Sequence, residues 1–172
     1  MDVFEAMKAR RSVRAFKQEP LAEGDLEKIL EAARQAPSAG NTQPWDFVVV
    51  GNEHVKEGLV HASGQKFISQ APVVVVVCAD TKRASAAYGK RGGELYCIQD
   101  TAAAVEHIHL AAVALGYGTC WVGAFDEGAA AKAIDAPEGV RPVAIIPMGR
   151  PAEKPKPTSR LPLGKIVHEN GF

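Results

Sequence analysis

The chain has 172 residues, 47% of them hydrophobic and 23% charged, with a formal net charge of zero. Its length suffices for one domain with a proper core, since about 150 residues already bury roughly two-thirds of their unfolded surface. Charge balance argues against nucleic acid or an anionic membrane as the main partner.

The N-terminus, Met1-Asp2-Val3-Phe4-Glu5, is charged and starts no apolar segment, so no secretory signal is expected. The apolar run Val73 to Ala79 is too short to span a bilayer. Cys78, Cys97 and Cys120 form no Cys-x-x-Cys and no zinc-spaced grouping, which suits a reduced, cytoplasmic protein with structural thiols.

Val3 to Arg10 predicts a short amphipathic helix with Val3, Phe4 and Met7 on one face. Arg10-Arg11-Ser12-Val13-Arg14 then places three guanidiniums in five residues. It reads either as a solvated basic turn or as an anion site, because Arg forks match phosphate oxygens and Ser12 adds a hydroxyl donor. Leu26, Ile29, Leu30 and Ala33 predict a second helix, with Asp25 as its N-cap and Pro37 as its end.

Pro37-Ser38-Ala39-Gly40-Asn41-Thr42-Gln43-Pro44-Trp45 is a turn-rich loop delivered directly to the apolar strand Asp46 to Val50. Asn41 and Gln43 carry amides suited to the edge of a heteroaromatic ring, though they equally suit a self-satisfied connection. A helix is predicted over 53–62. Val73 to Ala79 is too β-branched for a helix and too uniformly apolar to alternate, so it predicts a central strand covered on both faces. The polar segment 81–93 reads as a mobile or functional loop.

Residues 94–115 predict the longest helix, apolar nearly all round, which implies cover from a partner subunit. His107 and His109 lie two apart, do not share a face, and read as core or interface histidines. Gly116 ends this helix. Residues 119–125 predict a short strand broken by Gly123, where a ligand can approach the backbone. A helix over 127–134 and a strand over 143–149 follow. The tail from Arg150 is proline-rich and is expected to wrap an outer surface.

No Gly-x-Ser-x-Gly elbow, phosphate-binding Walker loop or strand-borne Gly-x-Gly-x-x-Gly is present, and no carboxylate pair stands out as acid and base. Redox chemistry carried by a bound cofactor fits that absence.

Four segments together resemble the nitroreductase family of flavin enzymes: Arg10 to Arg14, Ala36 to Trp45, Cys120 to Phe125, and Ser159-Arg160-Leu161-Pro162. They occur in family order over nearly the whole chain. The resemblance implies one α+β domain over 1–172, with a mainly antiparallel central sheet flanked by helices and a tail, 150–172, wrapping the surface or partner. It implies a domain-exchanging homodimer with FMN in clefts at the subunit interface and NADH or NADPH as reductant. Residues matching Arg10, Ser12 and Arg160 would hold the phosphate and ribityl chain, with Arg11 beside them. Arg14 would lie near the N1–C2=O side of the ring. Pro37, Ser38, Ala39, Asn41 and Gln43 would line the cofactor of the other subunit. Val122, Gly123 and Ala124 would bring backbone toward flavin N5, and Lys66 would stand near the pyrimidine edge.

The activity so implied is hydride transfer from NAD(P)H through FMN to a nitroaromatic, quinone or flavin acceptor by a ping-pong cycle. Alternatives on the same fold are flavin fragmentation, reductive dehalogenation, or FMN binding without turnover. The chain lacks the helical insertion of larger members, and Thr158 stands where some carry a phosphate-binding Lys, leaving Arg150 or Arg11 to compensate.

Overall fold

The computed structural model describes residues 1–172. In chain order the helices are α1 (Val3–Ala9), α2 (Asp25–Arg34), α3 (Glu53–Ser63), α4 (Thr81–Arg91), α5 (Cys97–Ala114) and α6 (Glu127–Ala133). The strands are β1 (Trp45–Val50), β2 (Val73–Asp80), β3 (Gly118–Thr119) and β4 (Val140–Gly149). Short 3-10 turns cover Ala39–Asn41, Lys66–Gln70 and Leu163–Lys165, and a π-helical turn spans Gly92–Tyr96 between α4 and α5. No helix is long and apolar enough to cross a membrane.

The sheet runs β1-β2-β4-β3, antiparallel throughout. Alternation along β2 divides the core in two. Val73, Val75 and Val77 face α2 and α5, packing with Ile29, Ala33, Val105 and Ile108. Val74, Val76 and Cys78 face the other way, with Leu59, Ile68 and Ala130. Both faces of β2 are therefore covered, which is why its sequence is apolar without a break.

Helix ends follow their capping chemistry. Asp2 and Glu5 form a reciprocal capping box on α1. Gly116, at φ 81°, closes α5: its N–H donates to the Val113 carbonyl and the Tyr117 N–H to that of Ala112, the two bonds of a Schellman ending. The N-cap of α2 is Gly24, not Asp25. Asp25 is instead the first helical residue, and its carboxylate accepts from the Tyr117 hydroxyl at 2.9 Å and from Lys28.

Three other expectations need correction. Residues 81–91 are helical, because Asp80 accepts from the Arg83 N–H at 2.8 Å and alanines carry the first turns. Its polar side chains are an exposed helix face, and the break falls late, at Tyr88 and Gly89. The long helix is not uniform, since the π-helical turn precedes it. Residues 119–125 contribute only the end of β3 and a single bridge from Val122 to Ile145.

The stripe on α1 exists but nothing in the chain covers it. Val3, Phe4 and Met7 are 53%, 77% and 53% exposed, and only Ala6 of α1 is buried. Beside it, Met1, Val3, Ala32, Leu110, Ala111 and Ala114 line an apolar groove of about 310 Å³ along α5. The arm from 154 onward runs away from the body and exposes Leu161, Leu163, Ile166 and Val167.

Candidate functional site

The first cluster forms where the segment after α1 meets the end of β3. Ser12 bridges Thr119 in parallel, and the Val13 N–H donates to the Thr119 carbonyl at 2.9 Å. Gly118 is needed there, since a Cβ would lie 2.7 Å from Val13. This pairing brings Arg10, Ser12 and Arg14 to residues 120–124. Arg14, Gln65, Phe67, Cys120, Trp121, Val122, Gly123 and Ala124 line one pocket of about 180 Å³.

The guanidiniums at this pocket are uncommitted, although the Glu153 carboxylate accepts from the Arg14 backbone N–H. Arg34, Arg83 and Arg141 are ion-paired, whereas Arg10 and Arg14 form no salt bridge and donate no side-chain hydrogen bond. Arg11 differs: its guanidinium donates to the Lys8 and Arg10 carbonyls, both at 2.6 Å, and so finishes α1. Arg150 is also engaged, lying 4.6 Å over the Tyr117 ring. Burial pushes the Cys120 thiol up, opposed by the charges of Arg14 and Arg10 and by Ser12. Gly123 has no internal reason to be glycine, because a Cβ would meet only Trp121, at 3.6 Å. A requirement for glycine there would come from outside the chain. Lys66 is exposed and sits between the pocket residues Gln65 and Phe67 without lining the pocket itself.

The second cluster is the loop 37–43. Gly40, Asn41 and Gln43 all have positive φ, at 53°, 57° and 49°. Ser38 Oγ accepts from the Gln43 N–H at 3.0 Å, and the Gln43 amide donates to the Asn41 carbonyl at 3.2 Å. Arg83 holds the Gln43 carbonyl at 2.6 Å, and Asp100 Oδ1 accepts from the Ala39 N–H at 3.1 Å. Tyr88 lies so close that a Cβ on Gly40 would come within 2.3 Å of its hydroxyl. The Asn41 side chain is exposed and makes no hydrogen bond, and Pro37 is exposed beside it.

The two clusters stand apart. The loop enters β1 at Trp45, which pairs with Ala79 at one end of β2. Thr119 pairs with Met148, which pairs with Val73 at the other end. Three inter-strand spacings and six residue steps separate them, about 25 Å. Arg160 joins neither cluster, since its guanidinium folds back onto Thr158 and Ser159 within the arm.

Buried side-chain polar atoms without a partner are confined to these two places. They are His109 Nε2 at the first, and Thr42 Oγ1 and Asp100 Oδ2 at the second. Native folds seldom leave such atoms unmet, so each is open to a bond from water, a ligand or a second chain. The expectation of a core or interface residue at His109 fits its burial. It is 2% exposed, holds Thr119 Oγ1 at 2.6 Å through Nδ1, and stacks on Trp121 at 5.9 Å. Burial, with Arg10 nearby, lowers its pKa to about 4. Asp100 gives no signal in the sequence, because a lone acid in the first turn of a helix ordinarily marks only a favourable helix dipole.

A sequence profile described as the nitroreductase family matches residues 7–65 and 59–150. A relative from Methanothermobacter thermautotrophicus with the provisional name NADH dehydrogenase/NAD(P)H nitroreductase is 38% identical over 90% of this chain and 80% of its own. An NADH dehydrogenase from Thermus thermophilus is 31% identical over 97% of this chain and 95% of its own. Among solved structures, a nitroreductase family protein from Clostridium novyi superposes with a TM-score of 0.82 at 33% identity, over 92% of this chain and 89% of its own. NfrA2 of B. megaterium reaches 0.91 at 26% identity, over 100% and 76%.

Proposed function

The chain belongs to the nitroreductase family, and from that premise we propose that this NAD(P)H-dependent oxidoreductase works with bound FMN, as a homodimer, on an electron-poor acceptor. The observation that carries the reading is the pair of unpaired guanidiniums, Arg10 and Arg14, beside the pocket lined by residues 120–124. In a chain of zero net charge, cations left without carboxylates suit an anionic ligand.

The donor set fits FMN. Arg10 and Ser12 would offer a fork and a hydroxyl to the phosphate, and Arg160, which makes no ion pair, would add a second fork only from an arm position other than the one seen here. Arg14 places a fixed positive charge where reduction of the ring builds negative charge, which favours electron uptake. Gly123 and Ala124 let backbone reach the ring edge. A single ring system cannot touch both clusters across about 25 Å of sheet, so the loop 37–43 serves the cofactor held by a second copy. When bound, FMN would supply the redox chemistry, the exchange of reducing equivalents between NAD(P)H and a quinone, nitroaromatic or flavin acceptor by a ping-pong cycle. The protein's part is to hold, orient and charge-tune that group, so no side chain need act as acid or base.

Purified protein is expected to carry the visible flavin absorption band and to oxidise NAD(P)H with menadione or a nitroaromatic. Absence of the band, unaltered by added FMN, overturns the reading. Bound FMN without turnover identifies a binding module instead. Arg10→Ala is expected to weaken FMN binding by about tenfold or more, the loss of a hydrogen bond between charged groups. Arg14→Gln is expected to retain FMN and lower its midpoint potential.

A further inference from the structure

We propose that Asp100 is a positioning residue for the cofactor loop, fixing the Ala39–Asn41 turn at the height from which it meets FMN. The proposal rests on the reading of 37–43 as a cofactor loop and adds the residue that holds it in place.

The turn's internal bonds work against backbone strain. The turn is three residues long, and Asn41 and Gln43 occupy the left-handed region, which strains a non-glycine residue. Four of its hydrogen bonds are internal: the Asn41 N–H donates to the Ser38 carbonyl, the Thr42 N–H to the Ala39 carbonyl, the Gln43 N–H to Ser38 Oγ, and the Gln43 amide to the Asn41 carbonyl. Only two side chains hydrogen-bond to it from outside, while Tyr88 packs against Gly40. Arg83 holds the Gln43 carbonyl beyond the turn, at the entrance to β1. Asp100 alone holds the turn itself, through the Ala39 N–H.

Asp100 also sits on the right support. It lies in the first turn of α5, the helix packed across the sheet in the same core as Val75, Val77 and Ile146. A bond from this helix transmits the position of the sheet to the turn. A helix-dipole role alone does not explain the residue, because an exposed acid would serve the dipole equally well. Asp100 is 8% exposed, forms no ion pair, and leaves Oδ2 without a donor. A buried carboxylate with one neutral partner is costly, so its retention points to the bond it makes. A charge-assisted N–H···O⁻ bond is about twice as strong as a neutral one, which suits an anchor opposed by backbone strain.

The test measures FMN dissociation constants, kcat per bound flavin and melting temperature for the wild type and three variants. Asp100→Ala removes the anchor, Asp100→Asn keeps an acceptor oxygen, and Ala39→Pro removes the N–H. Ser38 is extended (φ −142°, ψ 153°) and Ala39 opens the turn, so proline is accommodated there. Asp100→Ala and Ala39→Pro are each expected to weaken FMN binding by about tenfold, and the double variant no further. Asp100→Asn is expected to recover most of the affinity. Full affinity in Asp100→Ala, or loss in Asp100→Asn as large as in Asp100→Ala, overturns the positioning role. If Asp100→Ala fails to fold, Ala39→Pro decides: wild-type affinity there overturns the proposal and loss supports it. Wild-type protein that binds no FMN overturns the functional reading and this proposal together, whereas wild-type binding with unchanged variants overturns this proposal alone.

Discussion

Arg10, Arg11 and Arg14 look alike in sequence, yet the structure gives them different work. Arg11 closes the end of α1, while Arg10 and Arg14 stay free beside a pocket. That division is not legible in the sequence, because it depends on where the α1 carbonyls end. The cluster of three guanidiniums is legible. His109 is legible only as a buried residue, and its unmet Nε2 needs coordinates. Its titration has a definite sign. Folded His109 has a pKa of about 4, against 6.5 for an unperturbed histidine. The unfolded chain therefore binds the extra proton first, and stability falls as pH drops from 6.5 towards 4, by about 3 kcal/mol in all. His109→Gln is expected to flatten that part of the curve in urea melts taken across this range. The thiols make a second expectation. Burial pushes Cys78 up to about 12 and raises Cys97 and Cys120 as well. None of the three should react with a thiol reagent until the protein is denatured.

At the scale of elements, strands and long helices are readable because their apolar patterns are strong. β2 declares its double burial by its unbroken valines. α4 is hidden because its sequence is polar and only Ala84 is buried, so no apolar stripe marks it. The loop 37–43 is recognisable in the sequence as a turn, but the side chains that anchor it come from α4 and α5, far along the chain. Gly40 tests the fit between these pieces. At φ 53° and within 2.3 Å of Tyr88 for any added Cβ, Gly40→Ala meets both backbone strain and a clash. It is expected to destabilise by about 1–2 kcal/mol from the backbone alone, a fall of about 2–8 °C in melting temperature for a chain of this size.

For the molecule as a whole, the apolar inventory is unbalanced. Phe4 and Met7 on α1, and Leu161, Leu163, Ile166 and Val167 on the arm, face solvent in the lone chain. The nearly all-apolar α5 signals this from sequence, since a helix without a polar face must be covered on every side. The proposed homodimer would cover these surfaces, and light scattering should then return twice 18.3 kDa. Phe4→Glu with Met7→Glu should yield monomer and release FMN. Deleting residues 155–172 should leave the far-ultraviolet circular dichroism of the body intact, because the arm contributes only the short Leu163–Lys165 turn, while abolishing flavin retention.

The diagonal placement of the two clusters across the sheet has a genetic consequence. Take one polypeptide disabled at Arg10 and another disabled at Asn41, each inactive alone. In the proposed homodimer, refolding them together would form mixed pairs in which one flavin site inherits both lesions and the other inherits none. Half the sites in every such hybrid would be whole, so two dead proteins are expected to regain turnover on mixing, as an assay of the refolded mixture would show.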